Sequence, residues 1–227
     1  MTLPQLFDEW TTYEKVVTND YMHQRDYMAE LIARLPPGEA PAILVDLGCG
    51  DAQPVAPLID AFSKVQYVGI DQSAEAICRA ERLMASRRMR YKLLEGPMQD
   101  CVKVIKGPVD VIVASYSLHH LAESEKAAML HHCRAMLGAR GILAIIDVFM
   151  MERESRESYF RRWEAHATNA FHALSPHEIE QLILHVRDND CPETVSTYET
   201  MARAAGFGSV IEVKLGAENL NRLLLIS

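Results

Sequence analysis

Leu44-Val45-Asp46-Leu47-Gly48-Cys49-Gly50-Asp51-Ala52 is the stretch that decides the fold. An apolar run ends in a two-glycine turn, and a helix-compatible stretch follows at once. Glycines there let the backbone bend tightly and approach a ligand with no Cβ in the way. The next apolar run, 66–70, ends in Asp71, about 20 residues beyond the glycines, where a carboxylate can grip both hydroxyls of a ribose.

Outward from that turn, strand-like and helix-like segments alternate, which is the pattern of a mostly parallel sheet covered by helices. Strands are predicted over 43–47, 65–70, 91–94, 109–114 and 142–147. Helices are predicted over 55–62, 73–86, 99–105 and 123–137. Ser73 followed by Glu75, and Glu123 with Glu125, place acidic groups in first turns, where the helix dipole favours them. A helix over 194–205, closed by Gly206, leads to strands over 210–215 and 222–226, close enough to form an antiparallel hairpin at the sheet edge. The expectation is a seven-stranded α/β sheet, six strands parallel and the last antiparallel, with helices on both faces and Asp46, Asp71 and Ser115 at one edge.

Two segments stand outside the alternation. Val17, Tyr21, Met28, Leu31, Ile32 and Leu35 recur at helical spacing and stop at Pro36-Pro37-Gly38. After the fifth strand, 150–186 has helical composition, and Ser175-Pro176 restarts a helix with a cap and a pre-set first turn. One domain over 1–227 is expected, divided into an N-terminal helical lid (1–38), a core (42–149), a helical insertion (150–192) and a C-terminal helix with its hairpin (193–227).

Composition narrows the function classes. A hydrophobic share of 49% with 24% charged residues is that of a globular protein with an ordinary core. The longest apolar runs, such as 141–148 and 223–226, fall far short of the roughly 20 residues that span a bilayer, so no membrane association is expected. Asp8, Glu9 and Glu14 near the start argue against a secretory leader, and five scattered cysteines without a C-x-x-C pair argue against a disulfide framework or a zinc knuckle; the cytoplasm is expected. A net charge of −8 opposes a nucleic acid partner.

A dinucleotide dehydrogenase shares the outline of strand, glycine turn and distant aspartate. Asp46 and Asp51 flank this turn, however, and would repel a pyrophosphate while attracting a cationic cofactor. The third glycine of the dinucleotide pattern is also replaced, by Gln53.

Val45-Asp46-Leu47-Gly48-Cys49-Gly50 resembles motif I of the class I S-adenosylmethionine-dependent methyltransferases, and Gly69-Ile70-Asp71 resembles their acidic ribose-binding strand end. The run 111–121, ending in Ser115-Tyr116-Ser117-Leu118-His119-His120-Leu121, is similar to the fourth-strand motif of members acting on small molecules. The likeness continues through Gly141-Ile142-Leu143 and Ala204-Ala205-Gly206-Phe207; it departs at Ala52 and around Pro97-Met98-Gln99, where an acidic residue often stands beside adenine. The resemblance implies a Rossmann-like fold, S-adenosylmethionine as cofactor and a small-molecule acceptor. It implies that Asp46, Gly48, Cys49 and Gly50 line the methionine portion, Asp71 and Gln72 the ribose, and Met98 and Gln99 the adenine. Ser115 would stand beside the cofactor, and Tyr13 and Tyr21 match positions where an N-terminal helix closes over it.

Methyl transfer is an in-line displacement at an activated carbon, so alignment and exclusion of water are the main demands. A base is optional, and His119 and His120, following the fourth strand, are the candidate catalytic residues. His131 and His132 are neighbours within a helix and point in different directions, so no metal site is expected there or elsewhere. Arg161, Arg162 and His166 in the insertion are candidates for attracting an acidic acceptor. Three other readings stand beside this one: an NAD-type oxidoreductase, a cofactor-modifying enzyme of tRNA wobble chemistry resembled by 193–207, and a cofactor-binding regulatory module without turnover.

Overall fold

The computed structural model describes residues 10–35, 42–62, 64–87 and 89–227. The expected break at Pro36-Pro37-Gly38 lies outside them. Seven strands form one sheet in the order β3-β2-β1-β4-β5-β7-β6. The strands are β1 (Ile43–Leu47), β2 (Gln66–Asp71), β3 (Tyr91–Glu95), β4 (Val109–Ser115), β5 (Leu137–Val148), β6 (Val210–Leu215) and β7 (Asn221–Ile226). Neighbours are parallel except β7, which runs antiparallel to both β5 and β6. The expected hairpin is present, with its second strand slotted inside the sheet and its first at the edge.

Alternation along the central strands sends side chains into two cores. Val45, Leu47, Ile112, Ala114, Leu143 and Ile145 face one side. There they meet α6 (Glu123–Met136) and α9 (Val195–Ala204) through Met129, Leu130, Tyr198 and Met201. Leu44, Tyr67, Val111, Val113, Ala144 and Ile146 face the other. That side is covered by α2 (Gln24–Arg34), α3 (Ala56–Ala61) and α4 (Ala74–Arg87).

The N-terminal helical segment is two helices. α1 (Trp10–Thr18) and α2 are separated by a turn in which Asp20 and His23 both take φ of 53°, a left-handed conformation that no helix carries through. The two have different surroundings. Tyr27, Met28 and Leu31 of α2 are fully buried in the core of the sheet, whereas α1 reaches across to α4 and α8. The insertion is α7 (Arg156–Ala170) and α8 (Pro176–Asn189), with Ser175 and Glu178 forming the capping box that Ser175-Pro176 predicts. Its core, with Tyr159, Phe160, Trp163 and Phe171 packed on Val148 and Leu220, sits beyond the carboxyl end of β5. The remaining helix, α5 (Met98–Cys101), is a single turn after β3 that continues as a 3-10 turn.

Candidate active site

Strand order reverses between β1 and β4: the chain steps outward to β2 and β3, then returns to add β4 on the other side. Open α/β sheets bind ligands at the carboxyl ends of the strands flanking such a point. Leu47 is level with Ile70 on one side and Ala114 on the other, so Asp46, Asp71 and Ser115 share that edge.

The glycine turn is built for close approach. Gly48 and Gly50 have φ of 70° and 55°. A Cβ on Gly48 would fall 2.5 Å from the Cβ of Ser117 and 3.5 Å from Cε of Met98, and one on Gly50 would lie 3.1 Å from the Tyr13 hydroxyl. Met98 is thus beside the turn, with Gln99 next to it on α5, and Tyr13 of α1 lies over it. The Cys49 amide donates to Ile70 O at 2.8 Å, fastening the turn to β2.

Three carboxylates surround this turn. Asp46 is 2% exposed and accepts a hydrogen bond from the Tyr67 hydroxyl at 2.9 Å. Burial pushes it up to about 7 in spite of that bond. Asp71 accepts from the Gly50 and Ser73 amides at 2.9 and 2.8 Å, and Asp51 accepts from Gln53 N at 3.0 Å. Burial raises both of these as well. Among the described residues, no lysine or arginine closes an ion pair with any of the three. The Ser115 hydroxyl is buried without a hydrogen-bond partner. A pocket lined by three acidic groups, beside a backbone with no room for Cβ atoms, suits a ligand carrying positive groups.

α1 roofs this edge. Arg79 of α4 pairs with Glu14 at 2.5 Å and lies 4.4 Å over the Trp10 ring, and Lys15 pairs with Glu178 of α8 at 2.6 Å. Tyr21 stacks on Phe171 with ring centroids 4.4 Å apart, and its hydroxyl accepts from Ala173 N. Its contacts are therefore with the insertion, not with the glycine turn. Gln72 is exposed at the mouth of the edge. Tyr116, immediately after β4, takes φ of 52° and donates its hydroxyl to Met22 O at 2.5 Å.

His119 and His120 occupy a 3-10 turn, Leu118–His120, on the other flank of β4. The structure brings them together with two residues that the sequence reading missed. Nδ1 of His119 lies 2.5 Å from Oδ1 of Asp147, and its Nε2 lies 3.7 Å from Oδ1 of Asp190. Burial works against its charge, yet the two carboxylates prevail and raise His119 to about 9. His120 is held well below the usual imidazole range by burial and by His119 beside it. Lys126 of α6, with a fully buried side chain, donates to Leu121 O and Cys191 O and pairs with Glu193 at 3.6 Å. Asp147 sits at the end of a buried strand, which is a detectable oddity; Asp190 is 71 positions from His119 and gives no local signal.

Arg162 is bound to Glu154 at 2.6 Å and to Glu218 O, and exposed Arg161 lies 3.8 Å from Glu157. His166 has its ring 5.7 Å from Phe171. A separate open groove of about 430 Å³ is lined by Glu164, Thr168, Ile179 and Leu184 of α7 and α8. None of these lies on the sheet edge.

Residues 45–143 match the family described as a methyltransferase domain. Over 120 residues the chain is 34% identical to 2-ketoarginine methyltransferase of Streptomyces arginensis, covering 52% of this chain and 34% of the relative. Over 117 residues it is 32% identical to trans-aconitate 2-methyltransferase of Azoarcus sp. (strain BH72), covering 51% of this chain and 42% of that one. The chain thus spans less than half the length of these curated relatives. Human N-acetylserotonin methyltransferase, solved in complex with S-adenosylmethionine, superimposes with a TM-score of 0.59 at 15% identity, over 89% of this chain and 50% of that one. At that identity the likeness is one of fold.

Proposed function

We propose that the chain is a class I S-adenosylmethionine-dependent methyltransferase domain and that it transfers the cofactor's methyl group to a small-molecule acceptor. The observation that carries this reading is the glycine turn with Asp46, Asp51 and Asp71 around it, three carboxyl groups that burial raises, at the switch point of the sheet. In this reading Asp46, Gly48, Cys49 and Gly50 hold the methionine end, Asp71 and Gln72 the ribose, and Met98 and Gln99 the adenine. Ser115 offers its unpaired hydroxyl beside the cofactor. Tyr13 is the roof residue over the turn, and Tyr21 acts indirectly by fastening the roof to the insertion.

The bound cofactor supplies a sulfonium-activated methyl group. The protein's share is to aim that carbon, keep water out beneath α1 and the insertion, and present the acceptor from the flank where His119 and His120 stand; to those two we assign activation of the acceptor. Small organic acids are the acceptors to try first, since the two named relatives take 2-ketoarginine and trans-aconitate. We assign the protein to the cytoplasm, a reading supported by its five free cysteines; among the described residues no helix is long and apolar enough to cross a membrane.

The test is calorimetry with S-adenosylhomocysteine and with NAD, followed by turnover of labelled S-adenosylmethionine over a panel of 2-oxo and unsaturated acids. Binding of S-adenosylhomocysteine, weak or no response to NAD, and labelled product are expected. NAD binding without S-adenosylhomocysteine binding overturns the cofactor assignment. Tight cofactor binding with no product from any acceptor favours the regulatory module.

A further inference from the structure

We propose that His119, His120 and Asp190 form a binding site for one divalent transition-metal cation, a departure from the absence of metal that the sequence alone leads one to expect. One ligand atom from each residue lies within 4.8 Å of the others. Oδ1 of Asp190 is 3.7 Å from Nε2 of His119 and 3.6 Å from Nδ1 of His120. Those separations are long for hydrogen bonds. They are close to the roughly 3.3 Å between two ligand atoms that share a tetrahedral cation at about 2.0–2.1 Å.

Two of the three atoms are orphans. Asp190 is 3% exposed, and its Oδ1 has no hydrogen-bond partner; buried Nδ1 of His120 has none either. A proton shared between His119 and Asp190 would account for one imidazole and leave His120 unexplained, whereas a cation occupies all three atoms at once. Buried polar atoms left without partners are uncommon enough to call for such an occupant.

The surroundings fit a metal ligand set. Asp147 holds Nδ1 of His119 and so turns Nε2 toward Asp190, the carboxylate–histidine arrangement that orients ligating imidazoles. Cys191 N donates to His119 O at 2.6 Å, stitching the chain beside Asp190 onto the histidine turn. The rings of His119 and His120 are only 4.0 Å apart at 62°, so in this turn adjacent histidines do converge. Lys126 and Arg156 are the nearby positive charges; Lys126 is matched by Glu193, and Asp147 and Asp190 supply negative charge to the site. Two imidazoles and one carboxylate select Zn2+, Fe2+, Co2+ or Mn2+ over Ca2+ or Mg2+, and three protein ligands leave positions open. The site lies at the flank where the acceptor would enter, yet its existence is tested without cofactor or acceptor, so its failure is separate from failure of the transfer reading.

The experiment uses the full chain, without a histidine tag and after EDTA treatment, titrated with Co2+ while visible ligand-field absorption is recorded; Zn2+ then displaces the signal. One equivalent is expected. Asp190→Asn and His120→Ala should each weaken binding by at least about 10-fold, the loss that changing even an outer-shell partner brings, while retaining the wild-type circular dichroism spectrum, and His131→Ala on α6 should bind as wild type. Should Asp190→Asn not fold, His120→Ala, at a partly exposed position, carries the same expectation. No spectral change in the wild type, or unchanged Co2+ affinity in a folded Asp190→Asn or His120→Ala variant, overturns the proposal.

Discussion

The Tyr67 hydroxyl donates to Oδ2 of Asp46 at 2.9 Å beneath the glycine turn, and both side chains are buried. Burial outweighs this bond and lifts Asp46 to about 7. Because the folded value is raised, the ligand-free protein favours the neutral carboxyl, and this group's contribution to stability declines as pH rises from the ordinary carboxylate range toward 7. A cationic cofactor favours the carboxylate. Affinity for S-adenosylmethionine should therefore fall by up to tenfold for each pH unit below about 7 and level off above it. Calorimetry in buffers of different ionisation enthalpy should register proton release on binding. Asp46→Asn should flatten the dependence, and Tyr67→Phe should move its midpoint upward, because the lost donor is one that lowers Asp46.

Asp71 spends one lone pair of each oxygen on the Gly50 and Ser73 amides, and each oxygen keeps a second for a ribose hydroxyl. Asp71→Ala should reduce affinity for S-adenosylhomocysteine at least tenfold, since charge-assisted bonds are worth about 1.5–3 kcal/mol each. A loss of under threefold by calorimetry would remove Asp71 from the cofactor site.

Gly48→Ala should destabilise the fold by about 1–3 kcal/mol and weaken cofactor binding, because a left-handed position and a blocked Cβ coincide there. Ser117→Gly removes the atom at 2.5 Å but also a hydroxyl that donates to Leu47 O. The double variant should then melt higher than the sum of the two single losses predicts. Additive losses would mean that strain in the backbone, not contact with Ser117, sets the cost.

A chain starting at residue 23 loses α1 and its contacts to Arg79 and Glu178, and transfer should drop at least about tenfold with the sheet intact. A chain starting at residue 36 should not fold. Tyr27, Met28 and Leu31 of α2 are fully buried, and at about 1.5–3 kcal/mol for each side chain their removal consumes most of an ordinary domain's stability. Circular dichroism and melting curves on the two truncations separate roof from core.

The alternation of strand-like and helix-like segments made β1, β4 and β6 legible to within a residue, and spacing alone linked Asp71 to the glycines. β5 begins at Leu137, five residues before its predicted start, because Leu137 pairs with Val109 ahead of a register shift that precedes the Val111–Ile142 pair. Tertiary pairing, not local pattern, makes that extension. The break between α1 and α2 was hidden because Asp20 and His23 adopt left-handed backbone without glycine. His119 and His120 could be named from a motif, but Asp147 and Asp190 reach them from 28 and 71 positions away, and only the fold brings them together.

Among the described residues, β6 has no sheet partner other than β7. A growing chain therefore emerges from the ribosome with β6 made but unable to dock, and the edge of β5 stays uncovered until 221–226 has followed. Leu223, Leu224 and Ile226 then enter between two waiting strands and complete both hydrophobic faces at once. Closure of the sheet waits on β7, and a nascent chain stalled before it presents a bare strand edge to chaperones and to its neighbours.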